Sequence, residues 1–363
     1  MPAGFYAIPV SKVTRETNDA VSISFDVPSI MASQYQYSAG QYLTFSIVIN
    51  GEEVRRSYSM SSSPIAGEQI SVAVKEVDGG RMSTYLNRNV KEGDVLDIMP
   101  PMGKFVLEPK ATAANYYFLF GGGSGITPLF SIIKTALKAE PNSKCYLVYA
   151  NRDEDSIIFK DEIDALEAAH ENLVVIHSLD NPKGAWMGHR GYLTKEKVSE
   201  IARQKLGLNY PVAHYYTCGP GPMMDVVIDG LKTIGVRDEN VHTEYFTAVA
   251  KKDTIEESNS GSEEALNYSE EVVERAIQIE VFGEKKEIIV KPDQTILVAA
   301  QDAGLDPPYS CCVGVCTTCR AKLRSGMATM EEREGLSDTE IEEGYILTCQ
   351  AHPLSDDVDL VFE

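Results

Sequence analysis

Four cysteines near the C-terminal end set the tightest constraint on what this chain can become. Cys311, Cys316 and Cys319 share one short run and Cys349 follows a polar stretch, giving the spacing C-x4-C-x2-C with a distant fourth cysteine. That spacing suits a [2Fe-2S] centre, in which each iron takes two thiolates. Gly314, between the ligands, lets the backbone turn sharply and aim amide N–H groups at the sulfurs. A structural zinc site is the competing reading, but zinc usually draws on two CxxC-like pairs, and only Cys316 and Cys319 form one. A disulfide framework is weaker still, because the cysteines number seven and 363 residues bury a core without covalent staples. Cys312 is left over beside the ligand set, and Cys145 opens an apolar run that reads as a buried strand.

The formal net charge of -21 is unevenly spread. Residues 251–363 carry 10 basic against 25 acidic side chains, whereas residues 1–108 (9 against 12) and 109–250 (14 against 17) stand near balance. Negative potential around the cysteines would repel nucleic acid and anionic membranes and would steer a protein partner with a basic docking face. Solubility is the plainer use of the same acidity. No apolar run has the roughly 20 residues needed to cross a bilayer, and the N-terminal residues show no basic-plus-apolar signal. The expectation is a cytoplasmic chain with no membrane and no nucleic acid among its partners.

Residues 251–275 are too charged and too poor in apolar side chains to pack, so they read as a flexible acidic linker. Beyond it, residues 276–282 alternate as a strand, 283–286 form a turn, 287–290 form the hairpin partner, and 295–304 read as a short helix with a glycine stop. A hairpin, a helix and a cysteine loop over residues 276–363 make an α+β β-grasp layout.

Residues 109–250 read as an α/β doubly wound parallel sheet that binds a nucleotide. The apolar run 115–120 leads directly into Gly121-Gly122-Gly123-Ser124-Gly125-Ile126-Thr127-Pro128. Thr127 is expected to cap the next helix with Pro128 at its first position, and Leu129, Ile132, Ile133, Ala136 and Leu137 follow at helical spacing. Glycines at 122, 123 and 125 let the backbone approach a pyrophosphate, and the helix start offers unpaired N–H groups. Taken alone, such a turn is equally at home in an ordinary strand-to-helix connection. Residues 145–150, 173–177 and 214–218 read as further parallel strands. The last ends in Cys218-Gly219-Pro220 at the carboxyl edge, where open α/β sheets bind ligands. Met223 and Met224 read as core, and His177 as a packed strand residue.

The first 108 residues lack helical rhythm and read as an antiparallel β-barrel, with strands at 21–27, 42–49 and 70–77. Arg56 and Tyr58 fall on one face of a strand, offering a cation beside an aromatic plane, with Ser59 next to them. Gly79-Gly80-Arg81-Met82-Ser83 precedes a helical stretch at 84–88 and could present phosphate-binding amides.

Together, Arg56-Ser-Tyr-Ser59, Gly80–Ser83, Gly121–Pro128, Cys218–Pro220, Glu244-Tyr-Phe246 and the cysteine spacing resemble the ferredoxin-NADP reductase superfamily with a fused plant-type ferredoxin. The likeness covers nearly the whole chain, in the domain order of oxygenase reductases. Tyr149-Ala-Asn-Arg152, Ile157-Ile-Phe159 and Gly344–Ala351 resemble the subfamily of phenylacetyl-CoA epoxidase reductase subunits.

That resemblance implies a barrel holding FAD over residues 1–108, a nicotinamide-nucleotide domain over 109–250 and a [2Fe-2S] ferredoxin domain over 276–363. Arg56 would pair with the flavin pyrophosphate, Tyr58 would stack on the isoalloxazine, and Ser59 would hydrogen-bond near its N5. Gly80, Arg81, Met82 and Ser83 would complete the flavin phosphate site. Gly122, Gly123, Gly125, Thr127, Arg152, Cys218, Gly219 and Pro220 would position NADPH or NADH. Cys218 would lie near the hydride-donating carbon, and Glu244 and Phe246 would close the site; Ser59, Cys218 and Glu244 form the implied catalytic set. Cys311, Cys316, Cys319 and Cys349 would hold the cluster, which would pass electrons singly to an oxygenase, most specifically an aryl-CoA epoxidase. A reductase for a general electron carrier, a desaturase reductase and a redox sensor with little turnover are the alternatives. NADPH-specific members commonly carry Ser-Arg where this chain has Ser178-Leu179-Asp180, although Arg152 or Arg190 could substitute, so the donor stays open.

Overall fold

The structure is a computed structural model and describes residues 4–246, 272–333 and 335–362. Two units, Met1–Phe246 and Thr247–Glu363, are each compact. In the first, six strands form an antiparallel sheet: β1 (Tyr6–Thr17), β2 (Ala20–Phe25), β3 (Tyr42–Ile49), β4 (Glu52–Ser59), β5 (Ser71–Lys75) and β6 (Val95–Ile98), in the order β4-β3-β6-β1-β2-β5. A bridge between Met60 and Val72 joins the two edges and curls the sheet into a barrel. Inward residues such as Ile8, Ile23, Phe45, Val72 and Leu86 are buried, the last on helix α1 (Arg81–Arg88), which plugs the barrel. This helix begins three residues before the stretch expected at 84–88, because Gly80 supplies its N-cap.

The second half of this unit alternates strands and helices: β7 (Tyr116–Gly122), α2 (Ile126–Ala139), β8 (Lys144–Asn151), α3 (Lys160–Ala169), β9 (Leu173–Leu179), β10 (His189–Arg190), α4 (Lys195–Leu206), β11 (His214–Gly219), α5 (Gly221–Thr233) and β12 (Val241–Tyr245). The sheet order is β10-β9-β8-β7-β11-β12 and every pairing is parallel. Alternation along each strand feeds two cores, one with Leu119, Leu147 and Tyr149 under α2, the other with Phe118, Val148 and Tyr215 under α4 and α5. The chain order reverses between β7 and β11, so a crevice opens at their carboxyl ends. Cys145 is buried on β8, and Met224 is buried on α5. Thr127 does not cap α2. Gly125 is the N-cap, and the Thr127 hydroxyl, inside the helix, donates to Ser124 O at 3.0 Å.

The second unit is a mixed five-stranded sheet of β13 (Arg275–Val281), β14 (Glu284–Val290), β15 (Arg320–Ser325), β17 (Tyr345–Leu347) and β19 (Asp359–Phe362), ordered β14-β13-β19-β15-β17. A separate pair joins β16 (Ala328–Met330) to β18 (Ala351–Pro353). Helix α6 (Ile296–Asp302) packs Ile296, Ala299 and Ala300 on the sheet, and α7 (Asp338–Glu342) precedes β17. Thr295 caps α6 by accepting from the Val298 amide. The hairpin turn is tighter than the turn expected at 283–286. Phe282 and Gly283 both take positive φ, 50° and 84°, so two residues reverse the chain and Glu284–Lys286 join the strand. Residues 251–271 of the expected linker lie outside the described residues, and Arg275 already belongs to β13.

Candidate active site and cluster site

The barrel and the parallel sheet meet at one carboxylate. Parallel pairing sets Cys218, at the end of β11, opposite Glu244 on β12. Ser59, at the end of β4, donates from Oγ to Glu244 Oε2 at 2.9 Å, and Cys218 Sγ stands 4.0 Å from the same oxygen. Three residues separated by as many as 185 positions thus converge. Glu244 as a residue keeps partial exposure, while its carboxyl is densely surrounded by protein atoms. Burial lifts its carboxyl to about 8, against the opposing pull of the Ser59 hydrogen bond. Burial, reinforced by Glu244, also pushes the Cys218 thiol far above its ordinary range. Near neutral pH the site therefore holds a carboxylic acid beside an un-ionised thiol. It can keep or hand over a proton, and it does not present a thiolate nucleophile. Phe246 follows β12 and is 38% exposed.

On β4, Arg56 and Tyr58 face the same way, opposite Phe45 and Leu43 of β3. Tyr58 sets its ring edge-on to Phe45 at 5.6 Å, and burial raises its phenol, with the Arg56 charge opposing. The two adjacent arginines divide the work. Arg55 is buried, bonded to Glu53 at 2.6 Å and stacked over Phe5, while Arg56 is exposed. An aromatic ring flanked by an exposed guanidinium fits a flavin and its pyrophosphate.

The 80–83 segment fits a phosphate through its backbone more than its side chains. Helix α1 starts at Gly80 with no side-chain cap, leaving the first-turn amides to a ligand or water. Met82 is packed in the barrel core, so it brings only its amide. Arg81 donates to Glu52 Oε2 at 2.7 Å and to Ile49 O at 2.8 Å, which ties the helix to the β3–β4 hairpin. Ser83 Oγ accepts from the Val77 amide and donates to Gly80 O, bracing the turn.

At the glycine turn, packing and ligand access separate. A Cβ on Gly125 would stand 2.0 Å from Cys218 O, and one on Gly122 or Gly219 would meet Met223 at 2.7 or 2.8 Å. Those glycines, with Pro220 as N-cap of α5, let the two carboxyl-edge loops close on each other. Gly123 differs: its φ is +53°, and the nearest atom to a Cβ there is Lys75 Nζ at 3.8 Å. Tyr149 Oη donates to Gly123 O at 3.0 Å, which fixes the turn from below. Lys75 carries no signal in the sequence, because nothing in the chain's order places the end of a barrel strand over this turn. Arg152 lies past the end of β8, exposed, with Nε 3.4 Å from Asp153. His177 is half-buried against Tyr149 and edge-on to Trp186, in keeping with a packed role.

In the second unit the four spaced thiols meet in twos, Cys311 with Cys316 and Cys319 with Cys349. Two pairs of thiols match a centre in which each of two metals takes two thiolates. Cys316, followed by the amides of Val313, Cys316 and Val315, holds the Cys311 thiol below its usual range. Gly314 takes φ +77°, and a Cβ there would sit 2.7 Å from Glu332 Cβ. The Gly335 amide donates to Gly314 O at 2.8 Å, clamping the loop from its other side. Cys312 is exposed at φ 58°, and Gln350 Nε2 donates to its carbonyl.

Comparison with known proteins gives the same three parts. Residues 7–107 match an oxidoreductase FAD-binding domain, 119–229 an oxidoreductase NAD-binding domain, and 279–354 a 2Fe-2S iron-sulfur cluster binding domain. The chain is 34% identical to one of the subunits of 1,2-phenylacetyl-CoA epoxidase from Escherichia coli K12, over 99% of this chain and 98% of that one. It is 35% identical to the ferredoxin reductase component of 3-ketosteroid-9-alpha-monooxygenase from Rhodococcus rhodochrous, over 98% and 96%. Identity to the glycine betaine monooxygenase reductase subunit of Pseudomonas aeruginosa is 31%, over 97% and 94%. The solved structure of phthalate dioxygenase reductase covers 99% of this chain and 98% of its own, with a TM-score of 0.59 and 25% identity. Whole-chain similarity and three matched domains together mean that this chain belongs to the family of oxygenase reductase components that join FAD-binding, NAD-binding and 2Fe-2S domains in one polypeptide.

Proposed function

We propose that this chain draws electrons from a nicotinamide nucleotide and delivers them to a separate oxygenase, with an aryl-CoA epoxidase of the phenylacetyl-CoA type as acceptor. The observation that carries the reading is the junction of Ser59, Cys218 and Glu244, where the flavin barrel and the nucleotide sheet bring a buried hydroxyl, a buried thiol and a proton-holding carboxyl together. The flavin, when bound, supplies exchange between a two-electron donor and one-electron steps, and the cluster supplies single-electron relay. Tyr58 and Arg56 hold the flavin ring and pyrophosphate. The amides at Gly80–Ser83 take a phosphate of the same cofactor. Gly123, Thr127 and the start of α2 receive the nucleotide pyrophosphate, with Lys75 as a neutralising cation, and Gly122, Gly125, Gly219 and Pro220 shape the crevice. Arg152 lies toward the adenosine end. Cys218 packs against the nicotinamide, Phe246 covers the cleft, and Ser59 and Glu244 keep a proton within reach of the reacting ring. Cys311, Cys316, Cys319 and Cys349 hold two irons.

The acidic excess of residues 251–363 supports docking to a basic face of the acceptor. None of the seven cysteines is joined in a disulfide, which supports a reducing, cytoplasmic setting. No helix among the described residues is long and apolar enough to cross a membrane. A ketosteroid hydroxylase is a second acceptor reading, favoured by the 35% identity to that reductase component. Adding purified epoxidase with its acyl-CoA substrate should make nucleotide oxidation substrate-dependent. Stimulation by the steroid oxygenase alone would transfer the assignment, and stimulation by neither would refute an acceptor of either class.

A further inference from the structure

Each hydride taken from the nucleotide brings two electrons and one proton, and only the electrons leave through the cluster. One proton per turnover must therefore travel from the flavin site to water, a requirement that rests on the reductase reading above. Ser59 and Glu244 hold a proton at the start of that route. The Glu244 carboxyl is densely surrounded by protein atoms, so a neighbouring group has to take the proton onward.

Strand β12 supplies that neighbour. Val241 packs into the core under α4 and α5, so alternation turns His242 and Glu244 to the opposite face, which carries Tyr216 and Cys218 on β11. A rise of about 3.4 Å per residue sets the two Cα atoms about 7 Å apart, close enough for an imidazole and a carboxyl to meet directly or through one water. β12 is the edge strand of its sheet. His242 is half-buried there, and among the described residues its ring nitrogens have no hydrogen-bond partner and stay open to water. His177 differs, with both nitrogens sealed and unpartnered.

The surroundings hold the His242 ring without engaging its nitrogens. From β11, the Tyr216 ring stacks on it at 4.5 Å and 25°, and the His214 ring lies 6.3 Å away. Tyr117 of β7 stands 5.7 Å from the His214 ring and 6.3 Å from that of Tyr216. Both phenols are committed elsewhere, Tyr216 Oη donating to Val106 O at 3.3 Å and Tyr117 Oη to Glu140 Oε2 at 2.9 Å. The charge of Glu140, at the end of α2, reaches His214 and Tyr216, and that of Glu108 reaches Tyr216. Burial, then the charge of His214, hold the His242 imidazole below its ordinary range. Near neutral pH the ring is therefore uncharged, with one nitrogen free to accept a proton, and once charged it sheds that proton readily to water.

We propose that His242 carries the proton between Glu244 and water, acting through Glu244 rather than on the flavin itself. Each turnover then balances. The proton left on the flavin passes to the Ser59–Glu244 pair, the proton already on Glu244 passes to His242, and His242 releases it to water, leaving the carboxyl protonated as before.

The test uses flavin-loaded full-length protein, photoreduced without nucleotide under anaerobic conditions and mixed rapidly with excess ferricyanide in dilute buffer. Flavin absorbance reports oxidation and phenol red reports the proton. In the wild type the two signals should rise together. In His242→Ala and His242→Gln, proton release should slow at least about tenfold, and millimolar imidazole should restore it in His242→Ala by entering the vacated space. Glutamine keeps the bulk beside Tyr216, so it carries the comparison if alanine loosens the strand. Release at the wild-type rate in both variants overturns the proposal. Slowed release that imidazole leaves unchanged also overturns it, because the ring would then be only structural. Failure of either nicotinamide nucleotide to reduce the wild-type flavin would instead overturn the reductase reading.

Discussion

Replacing Glu244 by glutamine separates the burial of this carboxyl from everything else in the cleft. A carboxyl lifted from its ordinary 4.5 to about 8 stays protonated in the folded chain over a range where the unfolded chain has released its proton. Folded protein then binds more protons than unfolded protein between those two values, so stability falls as pH rises through that window and levels off above it. The ceiling on that loss is about 5 kcal/mol. Water at the open side of the cleft reduces it to roughly 2–3 kcal/mol. Glutamine keeps the shape, carries no titrating proton and still accepts from Ser59. For a unit of this size each kcal/mol moves the melting temperature by about 2–4 °C. The melting temperature of Glu244→Gln minus that of the wild type should therefore grow by about 5–10 °C between pH 5 and pH 8.5, and then hold. Thermal unfolding of flavin-free protein followed by circular dichroism at several pH values measures it. A difference flat in pH would refute the claim that Glu244 is protonated in the folded state.

Two further substitutions test the crevice and the barrel. Gly125→Ala, with a Cβ 2.0 Å from Cys218 O, should destabilise by more than about 2 kcal/mol, whereas Gly123→Ala, strained in φ but sterically open, should cost only about 1 kcal/mol. Equal melting temperatures for the two would contradict the division between packing and access. Arg56→Ala should lose flavin on gel filtration while keeping its fold, and full retention of flavin would remove Arg56 from the pyrophosphate.

The features most legible in the sequence were those in which local spacing carries the chemistry. The cysteine pattern, the turn after β7 and the Arg56–Tyr58 face are each contained in a dozen residues, and strand alternation alone puts Arg56 beside Tyr58. What stayed hidden depends on distance along the chain. Strand β1 escaped because its period of two is broken by register shifts at Val10/Lys12 and Arg15/Thr17, and because Pro9, Lys12, Arg15 and Glu16 dilute its apolar signal. The turn at Phe282–Gly283 has no signal in the sequence, because phenylalanine carries no propensity for positive φ, so charged Glu284–Lys286 read as loop although they belong to β14. The likeness to reductases implied that Ser59, Cys218 and Glu244 act together, but their meeting within 4.0 Å and the lift on Glu244 belong to tertiary structure. Lys75 over Gly123 had no sequence signal at all.

The central claim is that the four paired thiols hold a two-iron centre that receives electrons from a flavin. Anaerobic titration of the purified protein with NADH, followed by visible absorption alongside iron analysis, tests it most directly. Two flavin electrons and one cluster electron call for about 1.5 equivalents of NADH and two irons per chain, falling to about 1 equivalent in Cys349→Ser. A wild-type endpoint at 1 equivalent, or zinc in place of iron, would contradict the account.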